Sequence, residues 1–199
     1  MAAARSALCF SGTNRNGTKR DSERCAQVAR RFRGSEEVKV DAKGRVSIPA
    51  KFRRVFEACD PDWAESSDRA HMVIVYGTRD WDHMRLYTIE AMDEIDDGIA
   101  QMPRGSNDRN YLEMVMHGLS DEAEIDQDGR LVLPQRLREK IGLIDRAIFM
   151  ASGDHLKLWA PAAYEAQMER IEAQVPNLAP GADPLSLLPM RGAPKEGAA

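Results

Sequence analysis

The amino-acid sequence predicts an α+β fold, mainly β, made of two copies of one strand-rich unit with flanking helices. Three observations carry that prediction. First, "DAKGRVSIPAKFR" at residues 41–53 returns at 126–138 as "DQDGRLVLPQRLR", so Asp41, Gly44, Arg45, Pro49 and Arg53 recur 85 positions later as Asp126, Gly129, Arg130, Pro134 and Arg138. Second, apolar character is kept where identity is not: Val46, Ile48 and Phe52 become Leu131, Leu133 and Leu137. Third, "HMVIVYG" (71–77) is echoed by "AIFMASG" (147–153), and "RLYTIEAMDEI" (85–95) by "KLWAPAAYEAQ" (157–167). The shrinking offsets put the length differences in loops around 57–70 and 78–84. Self-similarity of this kind marks a duplicated supersecondary unit. One unit of roughly 45 residues has too little core to stand alone, so each copy is expected to bury its hairpins against the other.

Taken in order, residues 1–27 are polar and rich in Gly, Ser, Asn and Arg without a sustained apolar period, which predicts disorder. "EVKVDAKGRVSIP" alternates apolar and polar residues around Lys43-Gly44 and predicts a hairpin. Pro49 suits the first turn of a short helix, "PAKFRRVFEA", because a missing N–H costs nothing there. "MVIVYG" is a strand by its β-branched and aromatic content. A longer helix follows with Ile89, Met92, Ile95, Ile99 and Met102 on one face, then a connecting helix in "NDRNYLEMVMHGL" (107–119). In the second copy Pro134 opens "PQRLREKIGL", which Gly142 stops, and "AIFMASG" is again a strand. Pro161 starts a last helix with Tyr164, Met168, Ile171 and Val175 on one face. Both apolar stripes read as core or oligomer packing. Five prolines among Ala and Gly make 176–199 a flexible tail. The expected organisation is an extension over 1–31, repeats over 35–88 and 120–163, a helical connector over 89–119, a C-terminal helix over 161–175 and the tail.

A net charge of -4 argues against a uniformly basic nucleic-acid binder, yet it hides a polarity: residues 1–54 sum to +9 and residues 55–199 to -13. A basic third on an acidic body suggests a local field for an anionic partner. Cys9, Cys25 and Cys59 form no C-x-x-C pair, so neither a zinc site nor a disulfide framework is indicated, as suits a reducing compartment. No apolar run nears the roughly 18 residues of a membrane span, and Arg5 interrupts any signal-like stretch. Phosphate-loop, dinucleotide, zincin and nucleophile-elbow motifs are absent. His71, His83, His117 and His155 read as scattered, without ligand spacing or a carboxylate to orient them. "DQDGR" is no calcium loop, since Gly129 comes too early and Leu137 stands where a Glu would be needed. No enzyme, cofactor, metal or small-molecule substrate is expected.

The repeated phrase instead offers a rigid turn. Gly44 and Gly129 permit positive φ, and Asp41 and Asp126 can accept turn N–H groups and hold the arginine four positions on. Arg45 and Arg130 then present planar forks suited to phosphate oxygens or a guanine edge. Lys43, Lys51, Arg53 and Arg54 crowd the same end of copy one, whereas Asp128 and Glu139 dilute copy two.

The doubled D-x-x-G-R phrase, with "FRG" (32–34) ahead of the first hairpin, resembles the two SpoVT-AbrB repeats of the bacterial MraZ family over roughly residues 32–172. The resemblance implies an intramolecular swapped-hairpin β-barrel whose protomers assemble into a homo-oligomeric ring. It implies a cytoplasmic, nucleoid-associated transcriptional regulator that binds direct repeats in double-stranded DNA upstream of the division and cell-wall gene cluster, its own gene included, as a repressor. The family's D-x-x-x-R motif falls on Asp41 with Arg45 and on Asp126 with Arg130. Family chains open just before F-x-G, so "VARRFRG" resembles that opening with Val28 as a GTG-encoded start. The competing reading is an antitoxin-like interaction module of the AbrB superfamily, without operator binding of its own.

Overall fold

The computed structural model describes residues 31–63, 69–173 and 181–188; the expectations for the N-terminal extension, Val175 and most of the Pro-rich tail lie outside the described residues. In chain order the elements are β1 (Ser35–Lys39), β2 (Arg45–Ser47), α1 (Ala50–Ala58), β3 (His71–Val75), β4 (His83–Thr88), α2 (Ile89–Ala100) and α3 (Asn107–Glu113). A π-helical turn (Met114–Gly118) leads into β5 (Ser120–Glu124), β6 (Arg130–Val132), α4 (Gln135–Lys140), β7 (Arg146–Ser152), β8 (His155–Trp159) and α5 (Pro161–Ala173). Of the tail, Pro184–Leu187 forms a 3-10 turn.

The strands make a six-stranded antiparallel sheet, ordered β1-β7-β8-β4-β3-β5, and a two-stranded ribbon, β2-β6. Exchanging the copies reverses the six-stranded order onto itself, so the chain has a pseudo-two-fold axis between β8 and β4. The ribbon lies on the same axis, because Val46 faces its own counterpart Leu131. The predicted hairpin around Lys43-Gly44 is therefore only a tight turn. Its arms share a single bridge, Val40 to Val46, and then part: β1 joins β7 and β2 joins β6, both in the other copy. Copy two does the same, with β5 against β3. Edges that would be exposed in one repeat are thus paired by the other.

One core fills the space between the sheet and the ribbon. Val46, Leu131, Met72, Ile74, Met84, Leu86, Phe149, Leu156 and Leu158 all belong to it, from six different strands. The amphipathic helices close its ends: Phe52 and Phe56 of α1 and Leu137 of α4 are buried, with Phe32 packed 4.9 Å from the Phe56 ring. Pro49 and Pro134 sit one residue before these helices rather than in their first turn, with ψ of 139° and 143°. The proline φ suits both strand exit and helix entry, so the last extended residue takes it.

The outer face of the sheet is treated unequally. In copy one α2 starts at Thr88, whose hydroxyl accepts the Ala91 N–H at 3.2 Å. It buries Met92 and Ile99 in a second cluster with Val73, Val75, Tyr87, Val115 and Met116. In copy two no residue of α5 is buried, and Ile171 is 42% exposed. The predicted stripe is core in copy one, whereas in copy two Tyr164 and Met168 are half-buried and Ile171 is exposed.

Candidate nucleic-acid interface

The β2-β6 ribbon has one face turned to the core through Val46 and Leu131, which are 0% and 1% exposed. Side chains alternate along strands and cross-strand partners share a face. Arg45 opposite Val132 and Ser47 opposite Arg130 must therefore all point outward. The two predicted arginines become diagonal neighbours on one short, rigid surface.

The turns that present them are built as the repeated phrase requires. Gly44 and Gly129 take φ of +79° and +76°. Asp41 Oδ1 accepts the N–H groups of Lys43 and Arg45 at 2.9 and 2.8 Å, and its Oδ2 accepts Arg45 Nε at 2.6 Å. The Arg45 backbone N–H lowers the Asp41 carboxyl most; burial opposes it, and the Arg45 guanidinium and the Lys43 N–H help to keep the carboxyl below its ordinary value. Asp126 likewise accepts the Arg130 N–H at 2.8 Å. The Arg130 guanidinium, however, pairs with Asp128 at 2.8 Å rather than with Asp126. The cause is one substitution between the copies: Asp128 occupies the position of Lys43. A lysine there repels Arg45 toward Asp41, and an aspartate captures Arg130.

The structure sorts the other predicted cations. Lys51 Nζ lies 2.6 Å from Glu36, and its counterpart Arg136 pairs with Asp121, the counterpart of Glu36. Arg53 packs on Gly129 while its counterpart Arg138 packs on Gly44, and Arg138 Nε donates to the Leu133 carbonyl at 3.2 Å. Lys51 and Arg53 are thus tied into contacts that both copies repeat. Lys43 and Arg54 are exposed, as is Lys51 beside Glu36.

Two residues of this face were not singled out by the sequence. Ser47 is exposed, and Val132 is 54% exposed although it reads as part of a continuous apolar run, "RLVLP". Only the ribbon register shows that it faces away from Leu131 and Leu133. The histidines also need correction, since every one has a carboxylate: His71 with Asp60, His83 with Asp82, His117 with Asp96 and His155 with Asp154. Burial pushes the Asp60 carboxyl up, but the His71 backbone N–H, the His71 ring and the Asp62 N–H outweigh it and leave it below its ordinary value. Among the described residues no group of three or more His, Cys, Asp or Glu is placed to hold a metal ion, and no helix is long and apolar enough to cross a membrane.

With this geometry in place, comparison with known proteins is specific. The family described as "MraZ protein, putative antitoxin-like" matches residues 31–59 and 116–182. A protein of Ruegeria sp. (strain TM1040) named "Transcriptional regulator MraZ" is 48% identical over 162 residues, covering 81% of this chain and 96% of that protein. Proteins of the same name from Ruegeria pomeroyi and Cereibacter sphaeroides (strain ATCC 17025) are 47% and 42% identical, over 81% and 83% of this chain and 96% and 99% of theirs. A doubled turn, an exchanged-strand core and identity at this level over nearly the whole of each relative lead to one conclusion: the chain belongs to the MraZ family.

Proposed function

We propose that this chain is a sequence-specific DNA-binding transcriptional regulator that reads double-stranded DNA with the outward face of the β2-β6 ribbon. The observation that carries this reading is the pair Arg45 and Arg130, set diagonally on a two-stranded ribbon whose other face is locked into the core. The relatives' shared name, transcriptional regulator, supports it. A major groove admits a two-stranded ribbon, an arginine fork fits guanine O6 and N7, and an exposed Val132 methyl suits a thymine methyl. Lys43 and Arg54 are suited to phosphates. Copy one is the stronger reader, because Asp128 competes for Arg130.

One protomer makes few phosphate contacts, so its affinity alone is low and falls steeply with salt. We assign the α5 stripe, with Ile171 exposed and Tyr164 and Met168 half-buried, to contact between copies in a homo-oligomeric ring. Several ribbons then engage direct repeats spaced near one helical turn of about 10 bp, and avidity rises by roughly 10²–10⁴. In this reading the protein acts on the nucleoid as a repressor of its own division and cell-wall gene cluster.

The test is a gel shift with the DNA upstream of its own gene against a shuffled duplex. Arg45→Ala is expected to weaken the specific complex by roughly 1–3 kcal/mol while Lys51→Ala leaves it nearly unchanged. Equal affinity for the shuffled duplex would overturn sequence-specific reading and favour a protein-interaction module instead.

A further inference from the structure

A second duplicated motif lies across the core from the ribbon, on the outer face of the six-stranded sheet. "DHMRLY" (82–87) and "DHLKLW" (154–159) are equivalent segments, and β4 pairs with β8 at the pseudo-two-fold axis. Three rungs result on that face: His83 opposite Trp159, Arg85 opposite Lys157, and Tyr87 opposite His155. The outer rungs are stacked pairs, with ring centroids 4.2 Å apart for His83 and Trp159 and 4.7 Å for Tyr87 and His155. Each imidazole is anchored by the preceding aspartate, at 3.2 Å from Asp82 and 2.7 Å from Asp154.

The middle rung is electrostatically incomplete. Like charges placed directly opposite each other across two strands are destabilising. Here both are half-buried, and burial, then Arg85, pushes the Lys157 ammonium below its ordinary value. Arg85 has partial relief, lying 4.0 Å over the Trp81 ring. No carboxylate pairs with either cation among the described residues. Asp154 is held by His155, and Asp82 by His83 with Arg170 of α5 4.0 Å away. On the flanking rungs Trp159 Nε1 and His155 Nε2 are buried without a hydrogen-bond partner among the described residues, and Trp159 is only 2% exposed. The helices leave this rung between them: α2 packs on β3 and β4, and α5 on β7.

We propose that the Arg85–Lys157 rung is a binding site for a doubly charged oxyanion of the phosphate class. The guanidinium supplies a planar two-donor fork and the ammonium a mobile point charge, which together match the charge and geometry of a dianionic phosphate. The anion removes the repulsion that the sheet register imposes. The aromatic rungs wall it on either side and keep the two cations from swinging apart. The site stands apart from the ribbon and does not depend on the DNA-binding reading.

The experiment is thermal unfolding of the full chain titrated with inorganic phosphate at constant ionic strength, with sodium chloride as the balancing salt and light scattering in parallel. A ligand that binds only the folded state raises Tm in a saturable way. The expected result is a saturable rise with phosphate in the parent protein and in Arg45→Ala, and none in Lys157→Met or Arg85→Gln. Lys157→Met should not lower Tm without phosphate, since it removes a like-charge contact; a purely structural lysine would do the opposite. An equal phosphate response in Lys157→Met, or a response lost in Arg45→Ala alone, would overturn the proposal. So would an unresponsive parent whose assembly state changes in Lys157→Met, because the cations would then be meeting carboxylates of another copy.

Discussion

Replacing Gly44 by alanine should cost far more than the same change at Gly129, although the two glycines are repeats of each other. Both hold positive φ, +79° and +76°. An L-residue in that region costs roughly 1–2 kcal/mol at either site. The surroundings then separate them. A Cβ at Gly44 would lie 2.5 Å from the Leu133 carbonyl oxygen and 2.7 Å from Arg138 Nε. That oxygen belongs to the ribbon backbone and accepts Arg138 Nε at 3.2 Å, while the Leu133 N–H donates to the Gly44 carbonyl at 2.8 Å. Relieving the clash means displacing a strand and weakening at least one hydrogen bond, a further loss of about 0.5–1.5 kcal/mol each. With both named hydrogen bonds weakened, the total for Gly44→Ala comes to about 2–5 kcal/mol. At Gly129 the three atoms nearest an intruding Cβ all belong to the Arg53 side chain, with Cζ at 2.7 Å and Cδ at 2.9 Å. A side chain can swing away, so Gly129→Ala should stay near the backbone cost of about 1–2 kcal/mol. Urea denaturation followed by circular dichroism measures both, with unchanged slopes confirming that only stability moved. Equal losses, or a larger loss at Gly129, would refute the claim that ribbon backbone rather than arginine packing makes Gly44 indispensable.

Further outcomes follow from the same geometry. Arg53→Ala should lower stability through lost packing on Gly129 yet leave DNA affinity close to parental, and a gel shift beside a denaturation curve separates the two effects. Met92→Ala or Ile99→Ala in α2 should cost roughly 2–5 kcal/mol, whereas Ile171→Ala in α5 should stay within about 0.5 kcal/mol at concentrations where the protein is monomeric. Acid should destabilise the fold in two stages. Burial depresses His83 and His155 below 6.5, so the unfolded chain takes up protons first, and stability present above pH 6.5 is lost as pH falls through it until the folded values are reached. Asp41 and Asp60 are also lowered, so their contribution is present above the ordinary carboxyl value of 3.8 and is lost as pH falls through their folded values. Urea midpoints against pH check this, and the double variant His83→Gln, His155→Gln should flatten the upper stage alone.

The sequence by itself determined the duplication, the rigid glycine turns with Asp41 and Arg45, the amphipathic face of α2 and the asymmetry of charge between the copies. These are local properties: a turn needs glycine where φ is positive, and a helix needs its apolar residues on one stripe, whatever lies across from them. What the tertiary structure decided was everything that depends on a partner distant in the chain. "EVKVDAKGRVSIP" has the alternation of a hairpin, and nothing in it says that its two arms pair with β7 and β6 instead of with each other. Lys51 and Arg53 read as part of one basic cluster until Glu36 and Gly129 were brought beside them. Val132 stands in the apolar run "RLVLP", and only its register against Arg45 turns it outward. His83 and His155 seemed unrelated because 72 residues separate them, and the β4-β8 pairing sets them on the two stacks that flank the Arg85–Lys157 rung. Alternation fixes which residues share a face of one strand. Which face meets the core, and which charges meet each other, is set by pairing between copies, since burial free energy belongs to the assembled core and not to any single segment.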